Sequence, residues 1–200
     1  MKKIIIMLLT VFIFTGCSVV RINTDSIDTI INVILSKNNT LYNTVGKGYK
    51  YYRPRGVNYI DTTEYNEKLY SNGYYYYLYV DINSYYYKKE FSYEENPDAY
   101  YSKYLEINDK LGYVEINEFK GLYLIEFVYN YAKIEALVEK EDINQTVLDA
   151  TYILSTIKYN SNVIKIMLNE DYFTTKEERY NIFTPKGNVN SDEEIKYDQG

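Results

Sequence analysis

The sequence predicts an α+β domain in which an antiparallel sheet carries two amphipathic helices on one of its faces. Three observations support this prediction. An apolar stripe with helical spacing lies near the start of the chain, several short segments then alternate apolar and polar residues between turn signals, and a second helical stripe follows. This order is typical of α+β folds. A chain of 200 residues is expected to form a single domain.

The first helix is predicted over residues 25–37. Its apolar residues recur at the i, i+3, i+4, i+7 and i+8 positions and therefore share one side of a helix: Ile27, Ile30, Ile31, Ile34 and Leu35. Asp25 is expected to be the N-cap, and Asp28 places a negative charge in the first turn.

The middle of the chain is predicted to be rich in strands. Two short strands are expected at 49–52 and 57–60, followed by a polar loop or helical turn at 61–72. A longer strand is expected at 74–82, and it continues after a bulge at 85–87. In the longer strand one face is apolar, with Leu78, Val80 and Ile82. The other face is formed by tyrosines. Residues 88–98 are charged and indicate a loop.

A hairpin is predicted at 100–118, with its turn at Asp109–Gly112. Two further strands are indicated at 122–129 and 132–138. A second amphipathic helix is predicted over 142–157, where Asp142 and Gln145 resemble a capping box. A short helix or strand follows at 163–168. The α+β domain is expected to span 25–183, and residues 184–200 to form a polar, acidic tail.

The start of the chain carries the features of an export signal. Lys2 and Lys3 form a basic n-region, and residues 4–14 are an almost unbroken apolar h-region. The small residue Gly16 then precedes Cys17. A basic start, an apolar centre and small residues before the cleavage point are typical of a signal peptide. The h-region is shorter than the about 20 apolar residues that a membrane-spanning helix needs.

Phe14-Thr15-Gly16-Cys17 resembles the lipobox of bacterial lipoproteins, although the position three before the cysteine is usually Leu and is Phe here. The resemblance implies that residues 1–16 are a lipoprotein signal peptide, that Cys17 is lipidated and that 17–24 form a tether. A diacyl anchor would hold the protein stably on the outer face of the bacterial cytoplasmic membrane. The alternatives are an uncleaved signal anchor and an ordinary secretory signal.

The composition excludes several classes of site. The chain has no His and one Cys, so it can form no Ser-His-Asp triad, no Cys-His pair and no zinc site built from these residues. Its 22 basic and 28 acidic residues argue against nucleic acid as a partner. No cofactor and no metal are expected. A calcium site near Asn108-Asp109 lacks EF-hand spacing, and Arg53 and Arg55, which could bind an anion, lie at a turn.

Gly48-Tyr49-Lys50-Tyr51-Tyr52-Arg53-Pro54-Arg55-Gly56 resembles the aromatic strand and Pro-x-Gly that open the PsbP/Mog1-like fold. Val57 stands where that family usually has Trp. The late hairpin and the helix ending Ile153-Leu154-Ser155-Thr156-Ile157 are similar to the end of the same fold. The resemblance covers most of residues 25–160 and implies architecture but no site residues. More broadly, the chain resembles tyrosine-rich lipoproteins of low-GC Gram-positive bacteria.

The tyrosines suggest a binding surface. The chain has 28 Tyr and no Trp, which an A/T-rich genome would also explain. Tyrosine offers a large contact area and a hydroxyl at low entropic cost. The predicted binding face is formed by Tyr75, Tyr77, Tyr79, Tyr104 and Tyr113. We therefore expect a membrane-anchored binding or assembly protein without catalysis, whose partner is a protein or a cell-wall ligand.

The alternative is a glycan hydrolase of the cell envelope that uses two carboxylates. Glu106 and Glu115 would be cross-strand neighbours if the hairpin turned at Asp109–Gly112. A buried cleft between the two carboxylates would favour this alternative, and an open, flat face would argue against it.

Overall fold

Helices and strands follow one another largely as the apolar patterns predict. The computed structural model describes residues 26–63, 66–169 and Pro185. In this part of the chain the helices are α1 (Ile27–Leu35), α2 (Ile82–Tyr87), α3 (Ile143–Thr156) and α4 (Ser161–Asn169). The strands are β1 (Thr44–Val45), β2 (Tyr49–Tyr51), β3 (Asn58–Thr63), β4 (Asn66–Ser71), β5 (Tyr74–Val80), β6 (Tyr101–Ile107), β7 (Lys110–Phe119), β8 (Leu122–Tyr129), β9 (Ala132–Val138) and β10 (Lys158–Tyr159).

Seven strands form one antiparallel sheet in the order β3-β4-β5-β9-β8-β7-β6, and β1, β2 and β10 form a small second sheet. Helix α3 packs on β8 and β9, and α1 packs on α3. We call the sheet face under these helices the inner face and the opposite one the outer face. The α+β class, with an antiparallel sheet and two amphipathic helices on one face, is confirmed.

The first helix confirms its apolar stripe. Its buried side chains are at most 2% exposed: Ile30, Ile31, Ile34 and Leu35. Asp28, in the first turn, accepts hydrogen bonds from Lys103 and Tyr101 of β6 and so ties α1 to the edge of the sheet. Asp25 lies outside the described residues, and Ser26 occupies the N-cap position.

The polar stretch 61–72 contains strand β4 and not the predicted loop or helical turn. That prediction was wrong because the inward-facing polar residues of β4 find polar partners far away in the chain. The hydroxyl groups of Tyr49 and Tyr51 both donate to the carboxylate of Glu67, which is 4% exposed. Ser71 donates to Asp149 of α3 at 3.1 Å. These hydrogen bonds allow the polar side chains of β4 to be buried, which the polar composition of the segment does not predict.

Residues 85–87 lie in helix α2 and do not continue the sheet. The side chain of Asp81 caps this helix, because its Oδ1 accepts a hydrogen bond from the backbone N–H of Ser84 at 2.7 Å. Lys88 ends the helix in the left-handed conformation. A local cap therefore outweighed the strand preference of three consecutive tyrosines.

The hairpin predicted at 100–118 is present, but its turn lies at Asn108–Asp109. Both residues have a positive φ, 55° and 58°, which suits a tight two-residue turn. The predicted turn at Asp109–Gly112 was therefore wrong, and Gly112 lies inside β7. A Cβ atom at Gly112 would stand 2.1 Å from the backbone oxygen of Val128, so this glycine permits the close approach of β8.

The second predicted helix is α3, and it begins without the expected capping box. The carboxylate of Asp142 accepts from the hydroxyl of Tyr74 at 2.8 Å, while Gln145 donates to Asp149 at 3.1 Å. Residues 163–168 lie in α4. The predicted signal peptide and tether lie outside the described residues, as does the tail at 184–200 apart from Pro185, which is buried.

Candidate functional site

The outer face of the sheet carries the residues for which a function was expected. Alternation along β5 sends Tyr76, Leu78 and Val80 into the core. The tyrosines between them lie on the outer face and are half-buried: Tyr75, Tyr77 and Tyr79. The predicted division of this strand into an apolar face and a tyrosine face is present, with Tyr76 as a further core residue.

The five predicted tyrosines form two groups. Tyr104 and Tyr113 are direct cross-strand neighbours on β6 and β7. Strands β8 and β9 separate them from β5, and the row that joins Tyr113 to Tyr79 passes through Val128 and Lys133. Three strand spacings of about 4.8 Å place the two groups roughly 14 Å apart. The five residues share a face, and Tyr79 links the two groups because it packs against the buried cluster of Tyr113 and Val128.

Tyr113 is covered by the segment 88–100, which we call the strap. Its ring is 0% exposed and stacks on the ring of Tyr93, with centroids 4.2 Å apart and planes at 6°. Phe91 packs on the same cluster. Burial, and then the nearby Glu126, raises the pKa of Tyr113, so its hydroxyl stays protonated. Of the five predicted tyrosines, Tyr113 is not accessible to a partner.

A row of three glutamates crosses the centre of the outer face. Glu115, Glu126 and Glu135 are direct neighbours on β7, β8 and β9, and each is at most 2% exposed. The predicted pairing of Glu106 with Glu115 is wrong. The turn at Asn108–Asp109 shifts the register, so Glu106 lies opposite Leu111 and is exposed, while Ser102 faces Glu115.

Lys133 supplies a positive charge to this row. Its Nζ lies 2.6 Å from Oε1 of Glu126 and 2.8 Å from Oε1 of Glu135. Burial acts to lower the pKa of Lys133, but the two carboxylates outweigh burial and raise it, so the ammonium stays charged. The buried charges are thus paired in the way that a low-dielectric interior requires.

Glu115 is held by hydrogen bonds. The hydroxyl of Tyr93 donates to its Oε2 at 2.5 Å, and the amides of Asn96 and Asn117 donate to its Oε1 at 3.2 and 2.8 Å. Tyr93 and Asn96 belong to the strap, so this carboxylate fastens the strap to the sheet. A substrate could reach Glu115 only if the strap moved away, so this carboxylate lies neither on the open face nor in the cleft considered for the hydrolase.

An accessible patch remains on the side of β4 and β5. Tyr70 lies opposite Tyr75 in the sheet, and their ring centroids are 5.2 Å apart. The ammonium of Lys68 lies 4.0 Å from the ring centroid of Tyr75 and 5.8 Å from that of Tyr77. We define the tyrosine patch as the half-buried residues Lys68, Tyr70, Tyr75, Tyr77 and Tyr79.

Sequence reasoning missed several residues of these clusters, among them Tyr70, Tyr93, Glu126 and Lys133. Tyr70 escaped because its segment was interpreted as a loop, and Tyr93 because it lies in an irregular segment. Glu126 and Lys133 stand inside otherwise apolar strands. A charged residue in such a run is rarely buried without a partner, and this was a signal that could have indicated the cluster.

Other expectations concern metals, anions and the membrane. Among the described residues, no group of three or more His, Cys, Asp or Glu side chains could hold a metal ion. Arg53 is half-buried and Arg55 exposed at the turn after β2. Cys17 lies outside the described residues. No helix in the described part of the chain is long and apolar enough to span a membrane.

Comparison with protein-family models, with curated proteins and with solved structures found no match for this chain.

Proposed function

We propose that the chain is a membrane-anchored extracytoplasmic lipoprotein whose α+β domain acts as a binding or assembly protein, with the tyrosine patch as its contact surface. The observation that carries this proposal is a group of half-exposed aromatic rings on the outer face, with α1 and α3 packed on the opposite face. Tyrosines are enriched at protein interfaces, because each ring offers contact area and a hydrogen-bonding hydroxyl.

The patch has the physical character of a preorganised contact surface. Its rings stand on neighbouring strands, and Lys68 contacts two of them, so little side-chain freedom remains to be lost on binding. Cation–π contacts at exposed sites contribute about 0.5–1 kcal/mol each, which is enough to bias the ring positions. A protein partner with an acidic rim would complement Lys68, and this favours a protein over an uncharged glycan.

Serine at positions 75, 77 and 79 is expected to abolish binding without unfolding the domain. The three rings are half-buried, so their removal takes away contact area while the core residues of β5 stay in place. Because a central interface tyrosine contributes about 2 kcal/mol or more, the partner's affinity should fall at least 30-fold. The measurement is photo-crosslinking in intact cells from a benzophenone side chain placed at Tyr70, in chains with and without the serines.

A matched control removes tyrosines elsewhere. Tyr42 and Tyr87 are 54% and 68% exposed and lie outside the patch, so a Tyr42→Ser/Tyr87→Ser chain should cross-link as the unmodified chain does. Circular dichroism verifies that each variant is folded. Equal cross-linking from the folded triple-serine chain would contradict the assignment of the patch.

Replacing Cys17 with Ser tests the anchor. We expect the unmodified protein to fractionate with membranes and to have a diacylated N-terminal Cys17 by mass spectrometry, since two acyl chains give stable binding. The Cys17→Ser chain should lack the lipid. An uncleaved signal anchor would keep both chains in the membrane with residues 1–16 attached, and an ordinary secretory signal would release both. Either result would contradict lipidation at Cys17.

A further inference from the structure

A polar pocket on the helix side of the molecule gathers three lysines. It has a volume of about 250 Å³ and lies between the ends of α1 and α3 and the β6–β7 turn. Lys37 follows α1, Lys158 follows α3, and Lys110 begins β7. The other lining groups include the amides of Asn38, Asn39 and Asn108. Three lysines thus line one pocket in a chain with a net charge of −6.

These lysines have no carboxylate partner among the described residues, in which the salt bridges involve other lysines. Lys110 lies 5.8 Å from the ring centroid of Tyr129, which contributes polarisation but no countercharge. Burial, and then repulsion from Lys158, lowers the pKa of Lys110. The like charges of Lys110 and Lys158 therefore repel each other, and an anion between them would relieve this repulsion.

The helix ends offer a competing reason for the lysines. The carboxyl ends of α1 and α3 carry partial negative charge, which favours nearby cations. However, the side-chain amide of Asn108 already donates to the carbonyl of Leu35 at 2.6 Å, so one helix end is capped without a lysine. Asn39, which also lines the pocket, uses its Oδ1 to accept from the backbone N–H of Leu41, and its amide N–H groups can donate to a ligand.

We propose that this pocket binds a phosphate group, held by Lys37, Lys110 and Lys158 together with the amide of Asn39. Lysine is a common phosphate ligand that acts as a point charge. The volume of about 250 Å³ lies below the roughly 300–1,000 Å³ of pockets for drug-sized ligands, so it suits a single compact anion. The pocket is separate from the tyrosine patch, which lies on the outer face. An experiment can therefore disprove one proposal without affecting the other.

Titration calorimetry of the full chain in detergent with inorganic phosphate tests the proposal. We expect one site with a Kd below about 1 mM in 0.1 M chloride. Lys110→Met/Lys158→Met should weaken binding at least 10-fold. The matched control, Lys120→Met/Lys165→Met, removes the same charge from two exposed positions and should change Kd less than threefold. Lys110→Arg/Lys158→Arg keeps the charge and should retain binding.

A second titration distinguishes the source of the phosphate. Glycerophosphoglycerol carries the phosphodiester of a lipid headgroup without acyl chains. Tighter binding of this diester would assign the pocket to a headgroup, and tighter binding of inorganic phosphate would assign it to free phosphate. Absence of binding by both probes at 10 mM, or an equal loss in the charge-matched control, would overturn the proposal and leave the lysines as partners of the helix ends.

Discussion

Replacing Lys133 with Met is expected to lower the free energy of unfolding by about 3–5 kcal/mol at pH 7. The ammonium contacts Glu126 and Glu135, which are 0% and 2% exposed. Removing it leaves two neighbouring negative charges in a poorly solvated environment without the cation that both contact. Methionine retains much of the length of the lysine side chain. The loss of stability is therefore expected to come from the missing charge and not from a cavity.

The pH dependence follows from the direction of the pKa shift. The pKa of Lys133 is raised above its ordinary value of 10.5, so its contribution is fully present below that pH and disappears as the pH rises through the shifted value. In the Met variant the carboxylates can lose their charge only by taking up protons. The difference between the two proteins should therefore shrink as the pH falls from 7 to 4, measured by urea unfolding.

Two variants complete this experiment. Lys103 pairs with Asp28 at the surface, where the side chains are 32% and 52% exposed, so Lys103→Met should cost about 1 kcal/mol or less. Changing Lys133 to Met together with Glu126 and Glu135 to Leu removes all three charges and should restore most of the stability. Equal losses for Lys103→Met and Lys133→Met would contradict the inferred role of the buried ion cluster.

Replacing Gly112 with Ala is expected to destabilise the domain by about 3 kcal/mol, the upper end of the usual range for overpacking. The new Cβ would lie 2.1 Å from the backbone oxygen of Val128 and 2.9 Å from Cα of Tyr129. Both atoms belong to the backbone of β8, so a side-chain rotation cannot relieve the clash and the two strands must separate locally. Urea unfolding measures the loss, and faster amide exchange in β7 and β8 locates it.

Gly121 provides the matched control. It lies at the β7–β8 turn with a φ of +82°, and a Cβ there would meet open space. Gly121→Ala should therefore cost only the strain of a left-handed backbone, about 1 kcal/mol, and leave amide exchange in the centre of β7 and β8 unchanged. A loss for Gly112→Ala no larger than that for Gly121→Ala would show that β7 and β8 approach less closely at this position.

Gly112 and the neighbouring turn show which features of this hairpin a local sequence pattern can predict. The sequence correctly predicted a hairpin in this region, because apolar residues alternate on both strands. It assigned the glycine to the turn, since glycine is common there. The actual turn at Asn108–Asp109 depends on two non-glycine residues that adopt positive φ, and the glycine instead serves contact with a third strand. Residues near Gly112 in the sequence do not indicate that contact, because it depends on the pairing of β7 with β8.

Local periodicity was sufficient for both amphipathic helices, for most strands of the main sheet and for the two faces of β5, because these features repeat within one segment. It could not place Glu115 beside Glu126 and Glu135, or Lys133 between two of them. It also missed the burial of Glu67 in a polar strand and the strap over Tyr113. These arrangements depend on which strands pair and in which register. They arise from contacts between distant residues, whose hydrogen bonds and ion pairs make the burial of polar groups favourable.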